Sequence, residues 1–225
     1  MSDLMSMSQT LPVRIWGMIQ QAAAIVALVF LAPLFGVLYL AVRLTSAGPF
    51  LYAQSRPGLA GRMFWVWKVR TMRVGSDKDV ANALAVTRSN PQVTTVGRYL
   101  RDLKLDELPQ LWNVVRGQMR VVGPRPIAPA LHEWLCLALP GFERRLDVPP
   151  GLTNVGQVCI YDNADGNRVV EDWRLRLEAD LHYIRYRSVS YDLILIVMTT
   201  VFVARKFARQ LGLSRQATDR VKVSV

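Results

Sequence analysis

The sequence has few of the residues that most often hold metals or cofactors. Its 225 residues include two cysteines, Cys136 and Cys159, and two histidines, His132 and His182, and none of these lies at a metal-ligand spacing. It also contains no Walker loop, no G-x-G-x-x-G fingerprint and no internal repeat. We therefore expect no Cys/His metal site, and we expect both cysteines to be reduced, buried thiols of a cytosolic domain.

Acidic residues are outnumbered by basic ones. The chain has 28 lysines and arginines against 17 aspartates and glutamates, a formal net charge of +11 and a pI near 10.3. Such a surplus suits a polyanionic partner, which could be nucleic acid, an anionic membrane surface or a phosphorylated substrate. Composition alone does not choose among these three.

Charge is absent altogether between Arg14 and Arg43, and residues 22–42 are almost wholly apolar. This run is long enough to enter a bilayer, and it lacks the small-residue cleavage pattern of a signal peptide. Pro33 divides the run, so the segment could span the membrane with a kink or turn back to the side it entered. In either form we expect the basic remainder of the chain to lie on the cytoplasmic side.

Beyond Arg43 the sequence is typical of a globular domain. Residues 50–54 and 63–71 predict two strands joined by a hairpin-like connection around Pro57-Gly58. Alternation along the second strand places Lys68 and Arg70 on the same face. Two cations on one face could bind a diphosphate, or they could belong to an ordinary solvated face.

Two adjacent acids, Asp106 and Glu107, stand just before Pro109 in a run that predicts a helix ending near Gly117. The unpaired N–H groups at a helix N-terminus keep a carboxylate ionised and attract phosphate or a hydrated cation. The simplest interpretation of these two residues alone is a capping acid with a solvated neighbour. Arg101 precedes them closely enough to fold back toward the same anion.

A second candidate anion site follows the acids. Arg125 lies between Pro124 and Pro126 after a short predicted strand, and the prolines fix the backbone on both sides of a potential phosphate clamp. The pattern also predicts helices near 95–104, 127–139 and 171–187, and a rigid turn leading into a strand over 149–158. It further predicts an apolar stretch at 193–204 and surface segments at 74–91 and 162–166.

Successive segments together resemble the bacterial sugar transferases of the polyprenyl-phosphate phosphoglycosyl transferase superfamily, of the small monotopic kind. Each segment alone is a weak signal, but the ordered set covers nearly the whole chain. The matching stretches are Lys68–Met72, Gly97–Arg101, Leu105–Asn113, Val122–Pro126, Pro150–Thr153, Gln157-Val158 and Tyr183–Asp192.

The resemblance implies transfer of a sugar 1-phosphate from a UDP-sugar to polyprenyl (undecaprenyl) phosphate, with release of UMP. It implies that Asp106 is the nucleophile of a covalent phosphosugar–aspartate intermediate and that Glu107 helps to hold Mg²⁺. Arg101 and Arg125 would contact the phosphates or the nucleotide. Lys68, Arg70 and Asp192 would be further members of the substrate site.

The resemblance also predicts the architecture. We expect an α+β, mostly helical chain with a re-entrant membrane segment at 1–43, a cytoplasmic catalytic domain at 44–205 and a basic tail at 206–225, on the cytoplasmic face of the bacterial inner membrane. The family usually breaks its membrane helix at a Ser-Pro pair, whereas this chain has Ala32-Pro33. The hydroxyl that could satisfy a freed carbonyl is therefore missing.

Two other classes of protein remain open. A membrane-anchored nucleic-acid binder would explain the charge, although no known nucleic-acid-binding module is visible and the basic residues are scattered. A catalytically inactive membrane scaffold would explain the fold, although the acids and arginines of the site are intact. Oligomeric state and the identity of the donor sugar are not predicted.

Overall fold

The computed structural model describes residues 11–76, 90–159 and 169–210. Most of the predicted surface segment at 74–91, the turn at 162–166 and the tail beyond 210 lie outside the described residues. The described chain is mostly helical with a few short strands, as the α+β prediction requires.

Helix α1, Leu11–Thr45, is the long apolar segment. Among the described residues it is the helix long and apolar enough to cross a membrane, with a mean hydropathy of 2.7. The helix is continuous and contains Pro33, so the predicted break into a hairpin is not shown. Ala24 before Pro33 and Leu38 after it pack against the rest of the chain, whereas Val29 and Phe30, which lie between these two residues, are 68% and 79% exposed.

Strands β1, Leu51–Pro57, and β2, Met63–Val69, form the predicted antiparallel hairpin. A short 3₁₀ turn, Leu59–Gly61, joins them. In the register of the hairpin, Tyr52 lies opposite Lys68 and Arg56 lies opposite Phe64. Because directly opposite residues point to the same face of a sheet, Arg56 shares its face with Lys68.

Helix α2, Thr95–Asp102, is capped by Thr94, whose hydroxyl accepts a hydrogen bond from the Gly97 N–H at 2.9 Å. The acids then lie in a 3₁₀ helix, Leu105–Gln110, followed by the short helix α3, Leu111–Val115. The prediction that Pro109 opens an α-helix is therefore wrong in detail. A left-handed Lys104 (φ 59°) starts a tighter 3₁₀ turn before it, and α3 ends before Gly117 (φ 71°) as expected.

Strands β3, Arg120–Val122, and β4, Gly151–Thr153, pair in parallel. Their close approach requires glycine at position 151, because a Cβ there would lie 2.1 Å from the Gly123 nitrogen. Helix α4, Pro129–Ala138, and a 3₁₀ helix, Phe142–Asp147, connect them. After β4 the chain forms helix α5, Val155–Cys159, so the rigid turn leads out of a strand and into a helix, contrary to the prediction.

Helices α6, Val169–Tyr186, and α7, Val189–Gln210, complete the described fold. The apolar stretch predicted at 193–204 is part of this longer last helix. Four clusters of buried side chains hold the elements together: one joins α1 to the hairpin and α3, one joins α1 to β2 and α2, and two join α6 to its neighbours. The predicted burial of both thiols is not confirmed, since Cys136 is half-buried and the Cys159 side chain is not described.

Candidate active site

Asp106 occupies the first turn of the 3₁₀ helix and is 7% exposed. Its Oδ1 atom is buried and has no hydrogen-bond partner among the residues that the structure describes. A buried carboxylate oxygen without a partner is costly unless something else binds it. Asp106 therefore differs from a capping acid, whose oxygens would be occupied by backbone N–H groups.

Glu107 is held by two cations. Arg125 Nη1 donates to Glu107 Oε2 at 3.2 Å and Arg125 Nη2 donates to Oε1, so the guanidinium engages both oxygens. Lys68 Nζ lies 3.7 Å from Glu107 Oε1. The side chains of Lys68 and Arg125 are 24% and 28% exposed, so this ion cluster is open to solvent on one side.

The two neighbouring acids have opposite pKa shifts. Burial, and then the negative charge of Glu107, raise the pKa of Asp106, and the charges of Lys68, Lys104 and Arg101 only partly oppose this. Burial would also raise the pKa of Glu107, but Arg125 and Lys68 outweigh it and lower the pKa. The prediction that a helix N-terminus keeps both acids ionised is thus corrected: ion pairs stabilise the Glu107 carboxylate, while burial works against that of Asp106.

Cations outnumber acids around this pair. Lys68, Lys104 and Arg101 act on Asp106, Arg125 acts on Glu107, and Arg56 interacts with both Arg125 and Glu107. Burial, opposed by Glu107, lowers the pKa of Lys68 to about 8, and burial together with Arg125 lowers that of Arg56 to about 10. Five cationic side chains against two carboxylates leave room for further negative charge.

Strand β2 is fixed beside the acids by Asn113 of α3, which is fully buried. Its amide Nδ2 donates to the Trp65 carbonyl at 2.7 Å, and its Oδ1 accepts from the Trp67 N–H at 3.3 Å. These bonds satisfy the edge of β2 that β1 leaves free. They set the distance between Lys68 on the strand and the acids that precede α3.

Arg125 is held from its backbone as well as its side chain. Arg145, itself paired with the buried Asp180 at 2.7 Å, donates to the Arg125 carbonyl at 3.1 Å. Gln157, with its amide oriented to satisfy both neighbours, donates to the Leu152 carbonyl at 3.2 Å and accepts from Arg125 Nη1. The stiffness predicted from the flanking prolines is thus reinforced by tertiary contacts.

Arg101 approaches the acids from α2. Its Nε donates to Thr71 Oγ1 at 2.8 Å, and the Asp106 charge opposes the burial that lowers its pKa. The structure therefore brings together Asp106, Glu107, Lys68, Arg101 and Arg125, all predicted from the sequence.

Two predicted site residues have other contacts. Arg70 Nη2 donates to the carbonyl and the hydroxyl of Ser46, both at 2.8 Å, and so ties the end of β2 to the loop after α1. Asp192 accepts hydrogen bonds from Trp16 Nε1 at 2.7 Å and from Tyr183 OH at 2.8 Å. These contacts give each residue a structural role, and their substrate roles stay predictions.

Three residues of the cluster were not identified from the sequence. Arg56 shares a face with Lys68 only because of the hairpin register, which depends on the geometry of the connection. Lys104, which has a left-handed conformation two residues before Asp106, acts electrostatically on both acids. Gln157 belongs to a segment that resembles the family, and no local pattern indicates that it reaches Arg125.

The donor set can be compared with the predicted Mg²⁺. Among the described residues no group of three or more His, Cys, Asp or Glu side chains could hold a metal. Mg²⁺ commonly uses only one or two carboxylates, with substrate phosphates and water as its other ligands. The unpartnered Asp106 Oδ1 suits this mode. Both Glu107 oxygens accept hydrogen bonds from Arg125, so a metal bound to Glu107 would have to share them with Arg125.

A family model described as bacterial sugar transferase matches residues 14–206. The chain belongs to the bacterial sugar transferase family. Among its curated relatives, it is 42% identical over 179 residues to a UDP-glucose:undecaprenyl-phosphate glucose-1-phosphate transferase of Caulobacter vibrioides, covering 79% of this chain and 65% of the relative. It is 41% identical over 180 residues to an Escherichia coli protein of the same description, covering 80% and 38%.

Other relatives similar to this chain have different descriptions. The exopolysaccharide production protein ExoY of Sinorhizobium fredii is 35% identical over 189 residues, covering 78% of this chain and 79% of that protein. An Aeromonas hydrophila relative, 33% identical over 193 residues with 84% and 44% covered, is described as a UDP-N-acetylgalactosamine-undecaprenyl-phosphate N-acetylgalactosaminephosphotransferase. The chain spans less than two thirds of the length of the Caulobacter and Escherichia relatives.

Proposed function

We propose that this protein transfers a sugar 1-phosphate from a UDP-sugar to undecaprenyl phosphate and releases UMP. The observation that carries the proposal is the buried, unpartnered oxygen of Asp106 beside a cluster of five cations. Family membership and the names of the relatives support the same reaction class.

The charge surplus suits a diphosphate donor. A nucleoside diphosphate sugar carries two negative charges on the group that reacts, and phosphoryl transfer requires these charges to be neutralised. Lys68, Arg125 and Arg101 approach the acids from three separate elements, β2, the Pro124–Pro126 loop and α2. A cluster assembled from three elements can surround a phosphate instead of touching it on one side.

In the first step, a carboxylate oxygen of Asp106 attacks the β-phosphorus of the donor. A P–O bond forms to Asp106 while the bond from the β-phosphorus to the bridging oxygen breaks, and UMP leaves with that electron pair. The raised pKa of Asp106 makes its ionised form a stronger nucleophile than an exposed aspartate, provided that the surrounding cations keep it ionised.

In the second step, a phosphate oxygen of undecaprenyl phosphate attacks the phosphorus of the acyl phosphate. The bond to Asp106 breaks and the carboxylate is restored. Dividing the reaction in this way allows a soluble donor and a lipid acceptor to use one site in turn, so we expect ping-pong kinetics.

Mg²⁺, as predicted from the resemblance, would supply further neutralisation of the diphosphate when bound. The unpartnered Asp106 Oδ1 would be one ligand of the ion, and the Glu107 carboxylate would be the other ligand from the protein. The role that the described contacts give directly to Glu107 is to orient Arg125 and Lys68, because it accepts from the one and lies 3.7 Å from the other.

We also propose that α1 anchors the protein in the cytoplasmic leaflet and does not emerge on the periplasmic side of the membrane. Ala24 packs with the hairpin and α3, and Leu38 and Val42 pack with β2 and α2. Both halves of the helix thus contact one domain, which a straight crossing would prevent. Reporter tags at the N-terminus and at Ser89 should both be cytoplasmic, and a periplasmic N-terminal tag would exclude this topology.

The reaction is tested with the full chain in lipid nanodiscs. With Mg²⁺, undecaprenyl phosphate and a panel of UDP-sugars, at least one donor should release UMP. In the absence of acceptor, mass spectrometry of the intact protein should detect a phosphosugar adduct that maps to Asp106 and is lost on adding acceptor.

Two controls make this test decisive. Asp106→Asn should abolish both the adduct and UMP release, whereas Asp102→Asn, a change of the same chemistry on α2, should retain them. Failure of every donor to release UMP, with retained folding, would overturn the proposal and favour the inactive-scaffold alternative.

A further inference from the structure

Thr71 makes the one hydrogen bond to the Arg101 guanidinium found among the residues that the structure describes. Arg101 Nε donates to Thr71 Oγ1 at 2.8 Å, and Thr71 is 6% exposed. A guanidinium has two edges that can bind an oxyanion, one of which includes Nε. Thr71 occupies Nε, so the edge formed by Nη1 and Nη2 stays available for an anion.

The position of Thr71 relative to Arg101 is itself tightly fixed. The Thr71 carbonyl accepts from the Thr94 N–H at 3.0 Å and from the Thr94 hydroxyl at 3.3 Å. Thr94 is also the N-cap of α2. Thr71, just beyond the end of β2, thus holds the start of the helix that carries Arg101.

Gly97 permits this close approach. A Cβ on Gly97 would lie 2.1 Å from the Thr71 carbonyl oxygen, a distance that no side chain can tolerate. The first turn of α2 therefore lies directly against Thr71, and Arg101 follows Gly97 by one helical turn on the same side. Backbone contacts bring the two residues together, and the hydroxyl then selects the orientation of the guanidinium.

We propose that Thr71 is a positioning residue that locks the Nε of Arg101 and presents its Nη1–Nη2 edge to a phosphate of the UDP-sugar. Lys68 lies three residues before Thr71 on the same segment, so this contact also fixes Lys68 and Arg101 relative to each other, and both cations act on Asp106. The inference rests on the proposed function, since it assigns a role within that donor site.

The test removes the hydroxyl and keeps the backbone contacts. In Thr71→Val the carbonyl bonds to Thr94 remain, and only the bond to Arg101 Nε is lost. Because a hydrogen bond to a charged group is worth about tenfold or more in affinity, we expect the Kd for UDP, measured by calorimetry on the full chain in nanodiscs, to rise about tenfold. Thr71→Ser should stay within about twofold of the wild type.

A matched control is available in Thr153. It is 4% exposed, and its hydroxyl bonds the hydroxyl of Thr199 on α7 at 2.6 Å. Thr153→Val removes a similar buried bond and should leave the Kd for UDP unchanged. If Thr71→Val does not fold, Thr71→Ala removes the same hydroxyl without adding volume.

A double-mutant cycle separates positioning from general stability. Lysine has no Nε–H equivalent, so Arg101→Lys should weaken UDP binding, and adding Thr71→Val to it should cause no further loss. In a ping-pong reaction kcat/KM for the donor reports the first step alone, so this ratio should fall in parallel with UDP affinity in Thr71→Val.

The outcomes are distinguishable. A wild-type protein that neither binds UDP nor releases UMP would overturn the proposed function itself. A wild-type protein that does both, with Thr71→Val indistinguishable from it, would overturn only the role of Thr71. Additive losses in the double variant would do the same, because they would show that Thr71 acts independently of Arg101.

Discussion

Two arginine–carboxylate pairs of the described chain, Arg145–Asp180 and Arg125–Glu107, are linked through Arg125, and they differ in how completely they are enclosed. Arg145 and Asp180 are each 3% exposed, bonded at 2.7 Å, with the guanidinium over the rings of Phe142 and Trp173. Glu107 and Arg125 are 13% and 28% exposed. Lys68 and Asp106 adjoin the second pair, and one oxygen of Asp106 has no partner among the described residues.

The difference favours a structural role for the enclosed pair and supports the reactive role that we propose for the open one. The enclosed pair balances one charge with one charge and also donates to the Arg125 carbonyl, so it stabilises the loop. The open pair belongs to a cluster with surplus cations and an unsatisfied acid, which only an added anion or a bound cation can complete. An incompletely satisfied cluster supported by a complete one is the arrangement expected of a binding site.

The largest expected effect is on Asp106, the unsatisfied acid. Asp106→Asn should reduce UMP release by a factor of about 10⁴ or more, as loss of a nucleophile does. Its melting temperature should be equal to or above that of the wild type, because burial raises the pKa of Asp106 and its charge therefore opposes folding. A variant that loses both activity and stability would make Asp106 a structural residue.

In the enclosed pair, we expect a substitution to lower stability, the reverse of the result expected at Asp106. Asp180→Asn leaves the Arg145 charge buried without its partner, so we expect a loss of about 3–5 kcal/mol in the free energy of unfolding, measured by urea titration. The double variant Arg145→Met/Asp180→Leu should recover much of this loss. If Asp180→Asn is as stable as the wild type, the contrast between the two pairs is wrong.

An intermediate effect is expected at Glu107. Glu107→Gln removes the charge that orients Arg125 and Lys68, so UMP release should fall about 100-fold, while stability changes by about 1 kcal/mol or less because the pair is partly exposed. Kinetics and thermal unfolding on the same preparation measure both quantities. Glu178→Gln, a change of the same chemistry on α6, should alter neither.

The smallest effect concerns pH. The pKa of Lys68 is lowered to about 8, so Lys68 loses its positive charge as the pH rises through that value. We expect kcat/KM for the donor to decline as the pH rises above about 8, apart from any acidic decline that protonation of Asp106 causes. Lys68→Arg should shift this decline to higher pH, because a guanidinium stays charged. An identical profile in the variant would exclude Lys68 from donor binding.

Several elements were predictable because their signals are local. The hairpin, helices α2, α4 and α6, and the apolar α1 follow from alternation, helical spacing and the lack of charge. The 3₁₀ turn of the acids was not predictable, since the left-handed Lys104 leaves no pattern in the sequence. The sequence predicts a strand where helix α5 lies, because a five-residue helix has too few turns to show a period.

The amino-acid sequence is enough to identify the groups available for chemistry: two adjacent acids, an arginine between prolines, basic residues on a strand and on a helix, and a long apolar segment. Which of these groups come together depends on the packing of the folded chain. It placed Lys68, Arg101 and Arg125 around Asp106 and Glu107, added Arg56 through the hairpin register, and gave Arg70 and Asp192 contacts elsewhere. The physical reason is that charges interact through space, so their effect on a carboxylate depends on distances set by packing.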